Sequence, residues 1–260
     1  MTVAEGELVL PPAYRLVSLE TVDSTNEEAK RLARAGAEDG TLVWARAQTA
    51  GKGRSGRSWA SPQGNLYLSL VLRPDCPPVA ASQLGFVAAL GAGGGLAEVM
   101  PPLIDLRYKW PNDILLNRRK VAGILLETES AAADRLDWLV LGIGINVTQR
   151  PPETAYPATS LREEGDLETT VEAVLDAFAR HFLSWVNRWL DQGFAPVREA
   201  WRKSAIGIGE AIRVRLPNAE LHGTFEDIDA DGALLLRTGG TERRITAGDV
   251  FFGGPAGAGA

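Results

Sequence analysis

The chain has 260 residues, of which 45% are hydrophobic and 23% charged, as is ordinary for a folded globular protein. Its formal net charge of −6 argues against non-specific binding to nucleic acid or to an anionic membrane. A single cysteine and two distant histidines, His181 and His222, exclude an intramolecular disulfide, a cysteine-based zinc site and an HExxH motif. No run of about 18 apolar residues and no basic leader segment is found, so we expect a cytoplasmic protein.

The first part of the chain is predicted to mix strands with two helices. The predicted strands cover residues 14–19, 41–47, 66–72, 106–110, 113–116, 121–128 and 138–147. In residues 66–72, leucine alternates with other residues, which predicts a strand with one face in the core. A helix over 23–36 is predicted to be capped by Ser24 or Thr25, each with a glutamate three residues later. An alanine- and glycine-rich helix is predicted over 81–99.

After residue 203 the predicted structure changes from mixed helices and strands to short strands alone. Apolar side chains over 171–189 mark one face of a long helix. Five short strands, separated by turn residues, are then predicted at 211–216, 221–229, 233–237, 242–246 and 249–252. Five strands in about fifty residues predict a small β-barrel. We therefore expect a domain over residues 1–203, a barrel over 204–253 and a disordered tail over 254–260.

The most informative segment is the basic loop, which we define as residues 48–59. Its three basic side chains, Lys52, Arg54 and Arg57, are interleaved with glycines that allow backbone N–H groups to converge on an anion. Arginine offers a planar fork to phosphate oxygens, whereas lysine offers a point charge. Trp59 follows and supplies a ring that could pack on a base. The pattern favours a phosphate-bearing ligand over the alternative, a solvated surface turn.

A second group of polar residues occupies a predicted hairpin. Pro111 and Asn112 turn the chain, which can bring Asp113 and Asn112 to the mouth of a strand. A carboxylate and an amide suit Mg²⁺, and Lys120 opens the returning strand. A cation and a metal-binding anion at one place are what nucleotidyl transfer needs. A structural hairpin with surface lysines explains the same residues, and the sequence leaves both interpretations open.

A third feature is the glycine-containing strand over residues 138–147. Gly142 and Gly144 remove side chains from the strand, which weakens it unless a ligand or another backbone approaches closely. Asn146 could present its amide there. A close-packed core strand is the competing explanation.

Taken together, these segments resemble the biotin protein ligase family. The resemblance rests on five motifs in the family's order and approximate spacing, and it runs from about residue 14 to the end. The motifs are Ser24-Thr25-Asn26, the basic loop, Lys109-Trp-Pro-Asn-Asp113, Lys120-Val-Ala-Gly123 and Gly142-Ile-Gly144-Ile-Asn146. The resemblance implies an α+β fold: a mixed, largely antiparallel sheet with flanking helices, like class II synthetases, plus a small C-terminal SH3-like β-barrel.

The resemblance also implies a reaction in two steps. Biotin and MgATP give biotinyl-5′-AMP and pyrophosphate, and a lysine of a biotin carboxyl carrier protein then attacks the mixed anhydride and releases AMP. The carrier would be a subunit of acetyl-CoA carboxylase or a related carboxylase. No covalent nucleophile of the enzyme is needed, so catalysis consists of positioning and electrostatics. No DNA or membrane partner is expected, and a homodimer is left open because relatives often dimerise through the catalytic sheet.

Site residues are carried over by position. The catalytic residues implied are Lys120, Arg54 and Asp113, with Asp113 toward the metal. The biotin-binding residues implied are Ser24, Thr25, Asn26, Gln48, Gly51, Lys52, Gly53, Arg54, Lys120, Gly123, Gly142 and Gly144. Those implied for ATP and the adenylate are Lys52, Arg54, Arg57, Trp59, Asn112, Lys120 and Asn146. Lys120 would bridge the biotin carboxylate and the α-phosphate. Arg243 and Arg244 of the barrel would help close over ATP or receive the carrier.

Two departures from the family pattern matter. Lys52 stands where many members have arginine, which keeps the charge but loses the bidentate fork, so we expect at most weaker retention of the adenylate. Bifunctional relatives carry a helix-turn-helix before the Ser-Thr-Asn motif. Only about 23 residues precede it here, so we expect the monofunctional type, without transcriptional repression.

Two other functions compete with this one. A lipoate or octanoate protein ligase shares the fold class and the adenylate chemistry, although the Lys109–Asp113 and Gly51–Arg54 motifs fit biotin ligases better. A non-catalytic module that binds a phosphorylated ligand or RNA through the basic loop is the alternative from another class.

Overall fold

The structure, a computed structural model, describes residues 8–252 except residues 103, 133, 134, 153 and 155. The strands are β1 (Arg15–Val22), β2 (Thr41–Gln48), β3 (Leu66–Leu72), β4 (Leu106–Lys109), β5 (Asp113–Leu116), β6 (Arg119–Ala132), β7 (Arg135–Ile145), β8 (Ala211–Arg215), β9 (Glu220–Ile228), β10 (Leu234–Thr238), β11 (Thr241–Ile245) and β12 (Asp249–Phe252). The helices are α1 (Thr25–Arg34), α2 (Pro78–Ser82), α3 (Leu84–Val99), α4 (Val171–Gln192) and α5 (Phe194–Lys203). The predicted tail, 254–260, lies outside the described residues.

A seven-stranded sheet forms the larger part of the molecule. Its strand order is β1-β2-β3-β7-β6-β5-β4, in which β1 and β2 are parallel and every other neighbouring pair is antiparallel. Helices pack on both faces of this sheet. The predicted α+β class with a mixed, largely antiparallel sheet and flanking helices is confirmed.

The two faces of the large sheet are covered unequally. The main core lies between one face and helices α3, α4 and α5, whereas α1 packs on the other face through Ala29 and Ala33. Both faces of β3 are therefore buried, including Ser69 and Val71. The prediction that only the leucine face of residues 66–72 enters the core was wrong, because a strand covered on both sides no longer shows its burial as an alternation.

The helix pair α3 and α4 is held unusually close by glycines. A Cβ atom at Gly91 would stand 2.8 Å from the Cα of Phe182, and one at Gly95 would stand 2.9 Å from the backbone nitrogen of Phe178. Residues 78–99, which form α2 and α3, are apolar over a length that could cross a membrane, contrary to the prediction that no such run exists, but most of them are buried inside the protein. They belong to the core.

The start of α1 differs from its prediction. Ser24 occupies the N-cap position, but its side chain makes no capping hydrogen bond. Glu27 and Glu28, predicted to close a capping box, instead pair with lysine and arginine side chains. Ion pairs with Lys30, Arg31 and Lys52 therefore take the place of the predicted capping box.

The smaller sheet contacts the strand hairpin that is central to the site. Its order is β11-β10-β9-β8-β12, and all its pairs are antiparallel. The backbone of Tyr108 in β4 bonds to Ser204 and Ile206, each at 2.9 Å, and the indole N–H of Trp110 donates to the carbonyl of Gly232 at 3.0 Å. The β4–β5 hairpin, at the edge of the larger sheet, thus contacts the segment that leads into the smaller sheet and the turn between β9 and β10.

Candidate active site

One cavity of about 510 Å³ brings the predicted motifs together. The basic loop, the start of α1, the β4–β5 hairpin and the glycine-containing strand β7 all line it, and strand β12 of the smaller sheet adds a wall. The predicted residues that line it are Ser24, Thr25, Asn26, Gln48, Lys52, Gly53, Arg54, Arg57, Trp59, Asn112, Asp113, Lys120, Gly123, Gly142, Gly144 and Asn146. The loop and Lys120 therefore share one cleft.

Gly51 is the predicted site residue that does not line the cavity. It is buried, and a Cβ atom there would stand 2.4 Å from the Ser61 hydroxyl and 2.5 Å from the carbonyl oxygen of Trp59. The glycine is needed so that the two ends of the basic loop can pack together, which is a structural role.

The first part of the cavity, which we call the polar end, is a neutral hydrogen-bonded network. The Gln48 carbonyl oxygen accepts from the Thr25 backbone N–H at 2.8 Å and from its hydroxyl at 3.1 Å, while the Gln48 amide donates to Ser61 at 2.7 Å. The Ser69 hydroxyl lies 2.8 Å from the Thr25 hydroxyl and 2.5 Å from the Asn26 carbonyl oxygen. Because these polar groups bond one another, their orientations are fixed before any ligand binds.

The opposite part, which we call the charged end, is built around Asp113. Its carboxylate lies 2.6 Å from the ammonium nitrogen of Lys120 and 3.5 Å from that of Lys109. Burial opposes ionisation of Asp113, but the charges of Lys120 and Lys109 outweigh it and hold the pKa of this carboxyl below its usual value. Burial lowers the pKa of Lys109, with Asp113 opposing the shift and Lys120 adding to it. Two cations thus share one anion.

The arginines of the basic loop reach the second sheet. Arg54 donates to the Asn112 side-chain oxygen at 3.1 Å and to the carbonyl of Gly248 at 3.3 Å, and Arg57 donates to the Asp249 carboxylate at 2.9 Å. Burial lowers the pKa of the Arg54 guanidinium, while the Asp249 and Asp113 charges oppose that shift. The loop is therefore closed against both the hairpin and strand β12.

Trp59 explains two of the glycines that the sequence singled out. A Cβ atom at Gly144 would stand 2.6 Å from the indole ring, and one at Gly123 would stand 3.0 Å from it. A Cβ atom at Gly142 would instead stand 1.9 Å from the Asn26 side-chain oxygen. In this structure the side chains of Trp59 and Asn26 approach the glycines of β6 and β7, and these side chains form the cavity surface there.

Two buried polar atoms of cavity residues lack hydrogen-bond partners among the described residues. The Asn146 amide donates to the carbonyl of Thr159 at 2.9 Å, but its oxygen is unpaired, and so is the indole nitrogen of Trp59. Such buried atoms are costly unless a ligand or water completes them. Both are predicted adenylate contacts.

The donor set does not form a protein cage for a divalent ion. No group of three or more His, Cys, Asp or Glu side chains within the described ranges could hold a metal. The carboxylate oxygens of Asp113, the predicted metal ligand, are already engaged by two ammonium groups. The role of Asp113 as a magnesium ligand stays a prediction, since Mg²⁺ is usually bound by one or two carboxylates together with substrate phosphates.

Several cavity residues were not among the predicted site residues. Lys109 belongs to the Lys109–Asp113 motif but is not among the predicted site residues. The ring centroid of Tyr156 lies 4.4 Å from its ammonium nitrogen. Arg215, Asp249 and Phe251 of the smaller sheet also line the cavity. Lys109 could have been found from its place beside Asp113, whereas nothing local in the sequence marks the other four.

The predicted role of Arg243 and Arg244 near ATP is not supported by their positions. Arg244 pairs with Asp229 and with Asp231 (2.7 Å), within its own sheet, and neither arginine lines the cavity. Arg215 of the same sheet lines the cavity instead, and the alternative role of Arg243 and Arg244 in receiving the carrier stays a prediction.

A mixed sheet that carries a polar pocket beside a closed cationic loop defines the class of biotin and lipoate ligases. The sequence matches the biotin/lipoate A/B protein ligase family over residues 10–203 and the biotin protein ligase C terminal domain over residues 207–253. This chain belongs to the biotin protein ligase family.

Individual relatives agree with this assignment. The chain is 44% identical over 241 residues to the biotin–[acetyl-CoA-carboxylase] ligase of Paracoccus denitrificans, covering 91% of this chain and 100% of that protein. It is 37% identical over 247 residues to the bifunctional ligase/repressor BirA of Bacillus subtilis, covering 92% of this chain and 74% of that protein. The biotin protein ligase of Aquifex aeolicus in complex with biotin and ATP superposes with a TM-score of 0.77 at 30% identity, covering 91% and 97% of the two chains.

Proposed function

We propose that this chain is a biotin–[biotin carboxyl carrier protein] ligase that forms biotinyl-5′-AMP from biotin and MgATP and transfers the biotin to a lysine of the carrier. The observation that carries the proposal is one cavity that is lined both by a neutral polar network and by a charged group in which Lys120 pairs with Asp113. Biotin needs a polar site for its ureido ring and a cation for its carboxylate, and ATP needs cations for its phosphates. The Paracoccus relative is named as a biotin–[acetyl-CoA-carboxylase] ligase, and the Aquifex structure is a complex with biotin and ATP.

The polar end is proposed to hold the biotin head group. Its ureido ring offers one carbonyl acceptor and two N–H donors, and the hydroxyls and amides of Thr25, Asn26 and Gln48 offer partners for both. Ser24 lines the same end and is buried. Since the network is fixed by its internal bonds, binding there orders few side chains and loses little entropy.

The charged end is proposed to promote the first step. A biotin carboxylate oxygen attacks the α-phosphorus of ATP, the bond from that phosphorus to the oxygen bridging the β-phosphorus breaks, and pyrophosphate leaves. Carboxylate and phosphate repel each other, and the Lys120 ammonium reduces that repulsion by contacting both. Arg54 and Lys109 add positive charge where the leaving pyrophosphate gains negative charge. Asp113 holds Lys120 and Lys109 in place.

The adenine is proposed to lie against Trp59 and Asn146. The unpaired Asn146 oxygen suits the exocyclic amino group of adenine, and the Trp59 indole offers a flat apolar face. Magnesium is proposed to enter as part of the substrate MgATP, because the phosphates supply most of its ligands.

The second step needs a partner protein but no nucleophile from this chain. The neutral amine of a carrier lysine attacks the biotinyl carbonyl, the bond from that carbon to the phosphate oxygen breaks, and AMP leaves with a proton given up by the amine. The carrier is proposed to be a biotin carboxyl carrier protein. Fixed charges and exclusion of water by the closed loop protect the reactive anhydride until the lysine arrives.

The finer features of the architecture are part of the same proposal. Residues 1–203 are proposed as the ligase domain and residues 204–253 as a second domain whose five strands close into an SH3-like barrel. The protein is proposed to act in the cytoplasm without a DNA or membrane partner, and a homodimer through the catalytic sheet is proposed as its assembly.

A carrier assay tests the function. The chain is incubated with biotin, MgATP and a biotin carboxyl carrier domain, and we expect pyrophosphate release together with one biotin added to one carrier lysine by mass spectrometry. Lipoate and octanoate are run in parallel. Turnover only with these acids would assign the chain to the other ligase class, and nucleotide binding without any turnover would favour a non-catalytic module.

A further inference from the structure

The three cations of the basic loop do not all face the same part of the molecule. Arg54 and Arg57 face the hairpin and strand β12, but Lys52 turns the other way and pairs with the carboxylate of Glu27 on α1. The side chain of Lys52 is about half exposed, at 48%, whereas that of Glu27 is 26% exposed. In this structure Lys52 therefore helps to hold the basic loop against α1.

Glu27 itself is held in place by a second cation. Lys30, one turn further along α1, lies 2.6 Å from the Glu27 carboxylate and 2.8 Å from that of Glu127 on β6. Hydrogen bonds from Lys30 and then from Lys52 lower the pKa of Glu27. A carboxylate in the first turn of a helix is further favoured by the helix dipole. We call these four alternating charges, Lys52, Glu27, Lys30 and Glu127, the α1 latch.

The α1 latch ends at the polar end of the cavity. The second oxygen of Glu127 accepts a hydrogen bond of 2.8 Å from the Asn26 amide. Asn26 in turn lies against Gly142 and accepts from Ser69. One continuous set of contacts therefore joins the basic loop to the floor on which the biotin head group is proposed to lie.

We propose that Glu27 is a positioning residue that keeps the basic loop closed through Lys52, so that the acyl-adenylate is retained until the carrier arrives. The part of this inference that concerns the adenylate rests on the proposed function. The pairing also gives a reason for a lysine at position 52: a single carboxylate already held by Lys30 needs a point charge and not a bidentate fork.

The latch itself is tested without any ligand. Hydrogen exchange of residues 51–58 is measured in the unmodified chain and in Glu27→Gln, which is isosteric and leaves the Lys30–Glu127 pair intact. We expect exchange of the loop to rise about two- to five-fold, the effect of losing a partly exposed ion pair, with α1 and β2 unchanged. Glu28→Gln is the matched control, since Glu28 is similarly exposed but pairs with Arg31. Equal loop exchange in the two variants would overturn the proposal.

A double-variant cycle separates the pair from a general loss of stability. Lys52→Gln is expected to raise loop exchange as much as Glu27→Gln does, and the double variant no further, because both remove the same contact. Additive effects would show that the two residues act independently and would contradict the latch.

The catalytic consequence has its own measurement. With biotin and MgATP but no carrier, we expect Glu27→Gln to release biotinyl-5′-AMP into solution about two- to five-fold faster than the unmodified chain, while first-turnover pyrophosphate release changes less. Unchanged escape of the adenylate would overturn the retention role. If the unmodified chain makes no adenylate, the proposed function fails, and loop exchange still decides the latch independently.

Discussion

The two ends of the cavity solve different physical problems. At the polar end, the neutral side chains of Thr25, Gln48 and Ser69 are bonded to one another before any ligand binds, and Thr25 and Ser69 are buried. At the charged end, Lys109 and Lys120 share the single carboxylate of Asp113. The polar groups of the first end already have hydrogen-bond partners. The second end has an excess of positive charge close to the Asn146 side-chain oxygen and the Trp59 indole nitrogen, which have no hydrogen-bond partner among the described residues.

This difference explains how one cavity can both recognise an acid and activate it. A satisfied network presents a fixed surface and gives shape selectivity at little entropic cost. A crowded set of cations gains most when an anion arrives, because the charges then lie in a poorly hydrated site where their interactions are strong. We expect substitutions at the polar end to weaken biotin binding and those at the charged end to slow the chemistry.

The largest effect is expected at Lys120. Lys120→Ala removes the ammonium group that is proposed to contact both reacting anions, so we expect adenylate formation to fall by about 10²–10³-fold. Pyrophosphate release in the first turnover measures it. Arg118→Ala, an exposed arginine on the adjoining turn, is the control. Loss of less than about tenfold would remove Lys120 from its assigned role.

Asp113 is expected to matter for stability as well as for rate. Asp113→Asn leaves two ammonium groups facing each other without a counter-charge, and breaking a buried ion pair in this way lowers the free energy of unfolding by about 3 kcal/mol. Urea denaturation measures it, with Asp105→Asn, which breaks an exposed pair with Arg107, as the control. Equal losses in the two variants would show that the charged end is solvated like the surface.

The pH dependence of stability sharpens the same point. The pKa of Asp113 is lower in the folded chain than its ordinary value of 3.8, so its stabilising contribution is fully present above that value and is lost as the pH falls through the folded pKa. We therefore expect the stability difference between the unmodified chain and Asp113→Asn to be constant from about pH 7 to pH 5 and to shrink below about pH 4. A difference that grows on acidification would contradict the sign of this shift.

A smaller effect of a different kind is expected at the polar end. Gln48→Met removes the acceptor for the Thr25 N–H and hydroxyl, so we expect the KM for biotin to rise about tenfold, the worth of roughly one hydrogen bond, with a smaller change in kcat. Steady-state kinetics at saturating ATP measure it, and Gln63→Met at an exposed position is the control. A fall in kcat with KM unchanged would mean that the two ends do not divide binding from chemistry.

The smallest effect is expected at Arg57. Its guanidinium is half exposed, at 51%, and pairs with Asp249, so Arg57→Ala is expected to raise the KM for ATP by about five-fold or less. Arg54→Ala, which removes a partly buried guanidinium, is expected to cost more. The reverse order in the same kinetic assay would show that the exposed arginine is the principal ligand contact.

Local sequence patterns predicted most of the strands and the residues of the cavity. The turn residues that separate short segments in residues 211–252 predicted five strands in the smaller sheet, and the spacing of glycine with basic residues predicted the basic loop. These signals work because a turn, a close approach or a repelling charge cluster restricts which residues can stand there.

Other features depended on contacts that no local pattern contains. The burial of both faces of β3 follows from α1 lying across it. The pairing of Lys52 with Glu27 replaces the predicted capping box, because the loop comes back over the helix. Asp249 and Arg215 reach the cavity only because the smaller sheet docks on the β4–β5 hairpin. Such partners are set by tertiary packing between distant segments.

A crystal structure of the chain with biotin and a non-hydrolysable ATP analogue tests the division of the cavity most directly. We expect the ureido ring against Thr25 and Gln48, the α-phosphate beside the Lys120 ammonium and the adenine against Asn146. A nucleotide bound outside this cavity, or biotin with its ring at the Lys109–Asp113 pair, would contradict the account.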